Sequence, residues 1–145
     1  MPTDRADMTI EVEAPFDTVL KTIRDVESQP EWIPEILEAE LLEVYEETGL
    51  PATARFRASA TVGTDEYTLA YEHGEAEMAW TMVEGRLQTG QEGRYQLVAL
   101  GPDRTQVGYE LTIHHNLPLP GFVRRRVING LVHSTLSGLK KYLES

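Results

Sequence analysis

Four tyrosines are the residues of this 145-residue chain best suited to chemistry in a buried site. Tyr67, Tyr71, Tyr95 and Tyr109 each lie on the apolar side of an alternating segment, which is the pattern of a half-buried β-strand. A buried phenol needs a hydrogen-bond partner or water. Four phenols on one covered face therefore favour a cavity over a close-packed core. In an enzyme, Tyr67 and Tyr109 would be candidate acids or bases.

The four histidines do not form a metal-binding pattern. His114 and His115 are neighbours near a predicted strand end, so their side chains point to opposite faces. His73 precedes a glycine in a predicted turn, and His133 falls on the polar side of a predicted helix. Because no H-x-x-x-H spacing and no cysteine occur, we predict no metal site. His115 shares the parity of Tyr109 and is a third acid–base candidate, although a solvated strand-end histidine is the commoner interpretation.

Other catalytic motifs are absent from the sequence. It contains no G-x-S-x-G, no Walker loop and no G-x-G-x-x-G, so we predict neither a serine nucleophile nor a nucleotide cofactor. Arg124 and Arg125 flank the apolar stripe of the last predicted helix, where they could bind a ligand carboxylate or enolate. Alternatively, these arginines form a solvated basic turn that pairs with the protein's own carboxylates.

Alternating segments supply the strands that must position these residues. Met8, Ile10 and Val12 alternate with polar residues, and a short amphipathic helix follows Pro15. A second short helix or turn surrounds Trp32. Between residues 37 and 115, glycine-containing turns separate further strands. One face of these strands is apolar: Ala54, Phe56, Ala58, Ala60, Tyr67, Leu69, Tyr71, Met78, Trp80, Met82, Tyr95, Leu97, Val107, Tyr109, Leu111 and Ile113.

A long helix is predicted after Gly121. Its roughly 24 residues would extend about 36 Å, enough to cover a small sheet. One arc of the helix is apolar: Ile128, Leu131, Val132, Thr135, Leu136, Leu139, Tyr142 and Leu143. A short helix early, many strands and a long helix last indicate the α+β class.

Composition narrows the function further. Thirteen Lys and Arg residues against twenty-four Asp and Glu give a net charge of −11, which repels nucleic acid and anionic membrane surfaces. No run of eighteen apolar residues is present, so stable membrane insertion is not expected. We expect one domain, residues 1–145, in the cytoplasm, since the chain has no cysteine and no signal peptide.

The order of several short motifs resembles the START-like SRPBCC superfamily, within it the polyketide cyclase/dehydrase and coenzyme-Q-binding START branch. The motifs are Ala14-Pro15-Phe16, Pro30-Glu31-Trp32, Gly93-Arg94-Tyr95-Gln96-Leu97 and Leu136-Ser137-Gly138-Leu139-Lys140. The resemblance spans essentially the whole chain. It implies a helix-grip fold, in which a curved seven-stranded antiparallel sheet wraps a long C-terminal helix around a ligand cavity, with two short helices after the first strand.

Three functional hypotheses follow. The first is binding of a lipid, isoprenoid or aromatic polyketide-like molecule between sheet and helix, without a cofactor. The second is an aromatase/cyclase-type enzyme that cyclises or dehydrates a polyketide-like substrate. The third is contact with a protein partner at the open sheet edge or the helix end. The predicted ligand contacts are Phe56, Tyr67, Leu69, Tyr71, Met78, Trp80, Met82, Tyr95, Leu97, Tyr109, Leu111, Ile113, Arg124, Ile128, Leu131 and Thr135.

Overall fold

The computed structural model describes residues 2–60 and 63–145. Within these residues, seven strands form one antiparallel sheet: β1 (Thr3–Val12), β2 (Ile36–Val44), β3 (Pro51–Ala60), β4 (Gly63–Gly74), β5 (Glu77–Gly85), β6 (Gln88–Gly101) and β7 (Arg104–His115). The helices are α1 (Phe16–Arg24), α2 (Gln29–Trp32) and α3 (Gly121–Glu144), and a 3-10 turn, Val26–Ser28, precedes α2. The predicted α+β helix-grip architecture is confirmed.

The sheet order is β1-β7-β6-β5-β4-β3-β2, so β1 and β2 are its two edges. The first strand returns to the last, and Met8 lies opposite Tyr109. Register shifts occur in three of the hairpin pairs, for example between Thr68 and Leu69 of β4. Each shift bends a strand locally, which suits a sheet that curves around α3.

The short helices follow from local sequence. Pro15 is the N-cap of α1, and Asp17 lies in its first turn, where a carboxylate is favoured by the helix dipole. Val19 and Ile23 are fully buried and hold α1 on the sheet. The predicted element around Trp32 is α2.

Several positions that the sequence predicted as turns lie inside strands, among them His73 and Gly90. His73 belongs to β4, and its Nε2 lies 2.7 Å from the Pro51 carbonyl oxygen. Gly90 belongs to β6 opposite His114. A methyl group at Gly90 would approach the His114 ring to 3.0 Å, so this glycine gives room to a cross-strand side chain instead of marking a turn.

Helix α3 spans 24 residues, as predicted, and packs against β1, β7 and α2. Its buried residues are Ile128, Val132, Thr135, Leu136 and Leu139. Tyr142 was expected in the same stripe but is 40% exposed, because it lies at the margin of the buried arc. No helix in the described part of the chain is long and apolar enough to cross a membrane.

Gly138 allows α2 and α3 to approach closely. A methyl group at this position would overlap the backbone carbonyl oxygen of Trp32. By contrast, a methyl group at Gly130, on the exposed side of the same helix, would meet no atom within 4 Å. The two glycines therefore have different structural effects. Gly138 is required by packing, whereas Gly130 only lowers the helix propensity of α3.

We expect opposite effects from alanine at these two positions. Gly138→Ala forces backbone apart and should lower the free energy of unfolding by at least about 1–3 kcal/mol. Gly130→Ala should raise it by about 0.5–1 kcal/mol. Urea denaturation followed by circular dichroism measures both, and equal stability of the two variants would contradict the close approach at Gly138.

Candidate functional site

A pocket lies between the covered face of the sheet and the N-terminal half of α3. Its volume is about 170 Å³. The α3 residues that line it end at Thr135, whereas Leu136 and Leu139 further along the helix are fully buried. The helix therefore fills the core with its C-terminal half and covers a hollow with its N-terminal half.

Most of the predicted ligand contacts line this pocket. They are Tyr67, Leu69, Tyr71, Trp80, Tyr95, Tyr109, Leu111, Ile113, Arg124, Ile128, Leu131 and Thr135. Their contact with a ligand remains a prediction. The structure does not bring Phe56, Met78, Met82 and Leu97 to the pocket.

The four residues outside the pocket have the correct parity but the wrong position along their strands. Met78 and Leu97 are buried in the apolar core, and β6 also contacts α1 there. Phe56 is buried and stacks on Tyr67 with ring centroids 5.6 Å apart. Met82 is only partly buried, and its thioether occupies the space beside Gly85. Alternation with a period of two determines which face of the sheet a side chain lies on. It does not determine whether that part of the strand borders the pocket or the packed core.

Aromatic rings form much of the pocket wall. Tyr95 and Tyr109 are stacked with centroids 4.7 Å apart. The Trp80 ring lies 5.4 Å from Tyr95 and 5.9 Å from Tyr109. A methyl group at Gly93, opposite Trp80, would overlap the indole. The glycine thus lets the indole lie across the backbone of β6 and pack against the two phenols.

Two of the buried phenols have polar partners within the protein. Gln29 is the polar neighbour of the Tyr71 hydroxyl, and Thr135 of α3 is that of the Tyr109 hydroxyl. Burial raises the pKa of both phenols, and also that of Tyr67 and Tyr95, well above the ordinary value of 10.0. These side chains are therefore neutral hydrogen-bonding groups at physiological pH and poor proton acceptors in their un-ionised form.

A chain of hydrogen bonds runs along one wall of the pocket. Trp80 Nε1 donates to Gln91 Oε1 over 2.9 Å, and Gln91 Nε2 donates to Gln88 Oε1 over 2.8 Å. Gln88 Nε2 donates in turn to Asp65 Oδ2 over 3.0 Å. The other carboxylate oxygen of Asp65 accepts the Leu87 backbone N–H over 2.8 Å. Each residue donates to the next one along the chain. The last acceptor is the carboxylate of Asp65, a residue that is only 3% exposed.

Asp65 was not among the predicted site residues, because Gly63-Thr64-Asp65 was predicted to be a turn. The residue belongs instead to β4, two positions before Tyr67 and therefore on the same face. Its shared parity with Tyr67 was the signal that could have identified it. Gln88 and Gln91 gave no comparable signal, because glutamines are ordinary on solvated strand faces.

A second polar cluster joins the start of β1, the end of β7 and the start of α3. His115 Nε2 lies 2.6 Å from Asp4 Oδ2, and His115 Nδ1 accepts a hydrogen bond of 3.1 Å from the Leu117 backbone N–H. Because Nδ1 is an acceptor here, the ring proton is on Nε2, which donates to Asp4. Arg124 Nε lies 3.6 Å from Asp4 Oδ1. All of these residues line the pocket.

This geometry changes the interpretation of His115 and Arg124. The solvated strand-end interpretation is wrong for His115, which is 5% exposed and uses both ring nitrogens in hydrogen bonds. It has no free nitrogen with which to accept or deliver a substrate proton. Arg124 lines the pocket and lies within ion-pair distance of the protein's own Asp4, while Arg125 is exposed. The sequence offered no sign of Asp4, which is 111 residues from His115 along the chain.

Arg124 Nε is buried and makes no hydrogen bond within the described part of the chain, whereas Glu35 is engaged. Glu35 lines the pocket and accepts a hydrogen bond of 3.0 Å from the Ser134 hydroxyl. Within residues 2–60 and 63–145, no three His, Cys, Asp or Glu side chains are arranged to hold a metal ion. The arrangement can enclose a small apolar body and offer it placed hydrogen-bonding groups.

A curved antiparallel sheet, a long closing helix and a pocket between them define a protein of the START, or helix-grip, class. The chain belongs to the family described as polyketide cyclase/dehydrase and lipid transport, whose model matches residues 3–144. A search of curated protein sequences finds no significant match.

Solved structures with the same fold include proteins of different roles. A START superfamily protein from Mycobacterium smegmatis superposes with a TM-score of 0.89 at 26% identity, covering 97% of each chain. The Zhui aromatase/cyclase from Streptomyces sp. R1128 gives 0.80 at 17% identity, covering 99% of this chain and 94% of that one. A STAR-related lipid transfer protein from Xanthomonas axonopodis gives 0.72 at 18% identity, with 97% and 86% covered.

The buried phenols predict a specific alkaline behaviour. Because their folded pKa values are raised, the stability they confer is fully present below the ordinary phenol pKa of 10.0 and is lost as the pH rises from there through the folded pKa values. Absorbance at the phenolate band should therefore rise for these four phenols together with loss of the far-ultraviolet circular dichroism signal. Tyr142→Phe, at an exposed position, removes one phenol without touching the pocket. Complete phenol ionisation in a still folded protein would contradict the burial.

Proposed function

We propose that this protein binds a small hydrophobic molecule in the pocket between the sheet and α3. The observation that carries the proposal is the pocket itself: aromatic and aliphatic walls around a hollow, with polar groups that are mainly bonded to one another. Ligand pockets combine apolar walls with a few placed polar groups in this way. The family, which includes lipid transport proteins, supports the same function.

The pocket size suggests the scale of the ligand. Its volume of about 170 Å³ is below the ~300–1,000 Å³ of pockets that enclose drug-sized ligands. A compound of one or two rings would fit with little rearrangement. A long lipid would need the wall to open, and the segment bearing Leu117 and Leu119, which joins β7 to α3, is one part of the wall outside regular secondary structure.

The energetics suit a reversible binder. Burial of ~300 Å² of apolar ligand surface contributes about 7 kcal/mol at 25 cal/mol/Å². Association costs of several kcal/mol leave a dissociation constant of about micromolar or weaker. Aromatic walls add orientation, since ring pairs prefer stacked or edge-to-face arrangements.

An aromatase/cyclase activity is the second candidate. The observation in its favour is the Tyr109 hydroxyl, which lies in the pocket beside Thr135 and remains protonated because burial raises its pKa. A neutral phenol can donate a hydrogen bond to a substrate carbonyl. Cyclisation also needs a base to remove a proton. His115, the sequence-based candidate, has both nitrogens engaged, and the carboxylates that line the pocket already accept hydrogen bonds from the protein. Binding without catalysis is therefore the better-supported function.

A filled pocket should abolish binding. Ala58 lines the pocket on β3, and Ala58→Leu would place three additional carbons in the hollow. Ala79, on the opposite face of β5 from Met78 and Trp80, gives the matched control Ala79→Leu. With naphthol as the probe, we expect Ala58→Leu to weaken binding at least about tenfold and Ala79→Leu to leave it unchanged. Isothermal titration calorimetry measures both affinities, and equal binding by wild type and Ala58→Leu would overturn the assignment of the pocket.

Loss of the Tyr109 hydroxyl separates the two candidate functions. For a cyclase, Tyr109→Phe should lower kcat on a linear poly-β-keto thioester by about 100-fold, the usual effect of a missing acid or base. For a binding protein, the same variant should retain naphthol affinity within about threefold, because a single neutral hydrogen bond contributes little net free energy.

Exposed Tyr142 supplies the matched control, Tyr142→Phe. Product analysis by liquid chromatography and mass spectrometry measures turnover. Wild-type turnover that is clearly above background and is lost only in Tyr109→Phe would establish the cyclase in place of the simple binder.

A further inference from the structure

The ionisable groups of the pocket are unevenly balanced. Three carboxylates, those of Asp4, Glu35 and Asp65, line it together with a single guanidinium, that of Arg124. The pocket wall therefore carries more negative than positive formal charge, within a protein whose net charge is already −11.

Asp4 and Glu35 differ in what offsets their charge: Asp4 lies beside a guanidinium, whereas Glu35 has only a neutral donor and is partly exposed to water. Asp4 is held by His115 and lies 3.6 Å from the Arg124 guanidinium, so this part of the wall is internally neutralised. Glu35 accepts the Ser134 hydroxyl at the helix. An anionic ligand would find the only pocket guanidinium in the described residues already paired with Asp4.

Asp65 differs from the other carboxylates. Its side chain is deeply buried, and the residue is 3% exposed. It is bonded to two neutral donors, the Leu87 amide and the Gln88 side chain. No Lys, Arg or His of residues 2–60 and 63–145 forms an ion pair with it. A buried carboxylate without a cation is costly, and this one lies in the wall of a hollow where a ligand could supply the charge.

The surroundings of Asp65 also favour a cation. The charge of Asp65 contributes to the raised pKa of Tyr67, after burial and the Tyr109 phenol, so the carboxylate's field reaches the aromatic wall. Tyr67, Trp80 and Tyr109 line the same pocket. Aromatic faces attract cations, and the attraction strengthens where water is excluded. A carboxylate and aromatic rings around one small volume are complementary to an ammonium group.

We propose that the ligand of this pocket carries a protonated amine on an aromatic or other compact apolar body, with the ammonium beside Asp65. The inference rests on the proposed binding function and names its ligand class. The ammonium would donate to the free lone pairs of the Asp65 carboxylate, while the apolar body lies against Trp80 and the phenols. Carboxylate ligands, such as free fatty acids, would be disfavoured.

A purely structural role for Asp65 gives a different expectation. The hydrogen bonds from Leu87 and Gln88 also attach the turn between β5 and β6 to the start of β4. Asn at position 65 keeps one carbonyl acceptor and nearly the same shape while removing the charge. A structural anchor would therefore make Asp65→Asn less stable without changing which ligand charge the pocket prefers.

The experiment uses three probes with the same ring system and different charge. They are naphthylethylamine, which is cationic, naphthylethanol, which is neutral, and the anion of naphthylacetic acid, called the acetate below. Isothermal titration calorimetry at neutral pH measures their affinities for wild type, Asp65→Asn and Glu66→Gln. Glu66 is the next residue of β4, is exposed on the opposite face, and loses the same charge in its variant. We expect wild type to bind the amine at least about tenfold more tightly than the alcohol, and the acetate most weakly.

Asp65→Asn should reduce the preference for the amine to within about threefold, while affinity for the alcohol is retained; Glu66→Gln should keep the preference. Equal or tighter binding of the alcohol or acetate by wild type overturns the amine proposal but leaves the hydrophobic pocket intact. A preference unchanged in Asp65→Asn also overturns it. If no probe of any charge binds, both the amine proposal and the proposed binding function fail.

Discussion

The close approach of α2 and α3 at Gly138 determines which half of α3 packs on the core and which half covers the pocket. The Trp32 carbonyl lies against the Gly138 backbone, where no side chain would fit. On either side of this contact, Leu136 and Leu139 are fully buried, and burial of such a side chain contributes about 1.5–3 kcal/mol. The C-terminal half of α3 is thereby fixed on the core. Because a helix is stiff over 24 residues, its N-terminal half must continue over the curved sheet, where the two surfaces do not meet.

Polar groups in such a hollow must be satisfied, and the protein satisfies most of them internally. The chain from Trp80 to Asp65 and the cluster of Asp4, His115 and Arg124 each link residues from different elements. In a low-dielectric site, neighbouring hydrogen bonds strengthen one another. These networks hold the pocket wall in one arrangement before any ligand arrives, which lowers the cost of ordering on binding. Because these polar groups already make hydrogen bonds within the protein, few of them are free for proton transfer.

Sequence periodicity predicted the parts of the fold that depend on local pattern. The strand faces, the two short helices and the extent of α3 follow from spacings of two and of three to four residues. The chain's period also placed Tyr67, Trp80 and Tyr109 on the pocket side. It did not separate them from Met78 and Leu97, which lie on the same face. Whether such a residue borders the pocket or the core depends on which helix packs against that part of the strand.

Contacts between distant residues were beyond the sequence for a different physical reason. The pairing of Asp4 with His115 depends on β1 returning to β7 across 111 residues, and no local spacing records that return. An isolated aspartate near the N-terminus is normally solvated, so its type gave no warning. Once the pair forms, it changes the roles predicted for His115 and Arg124. The histidine gains a carboxylate partner and loses its free nitrogen, and the arginine gains a counter-charge. The end of the pocket that holds Arg124 is thus electrically balanced, and Asp65 is left as the most deeply buried pocket carboxylate without a cationic partner among the described residues.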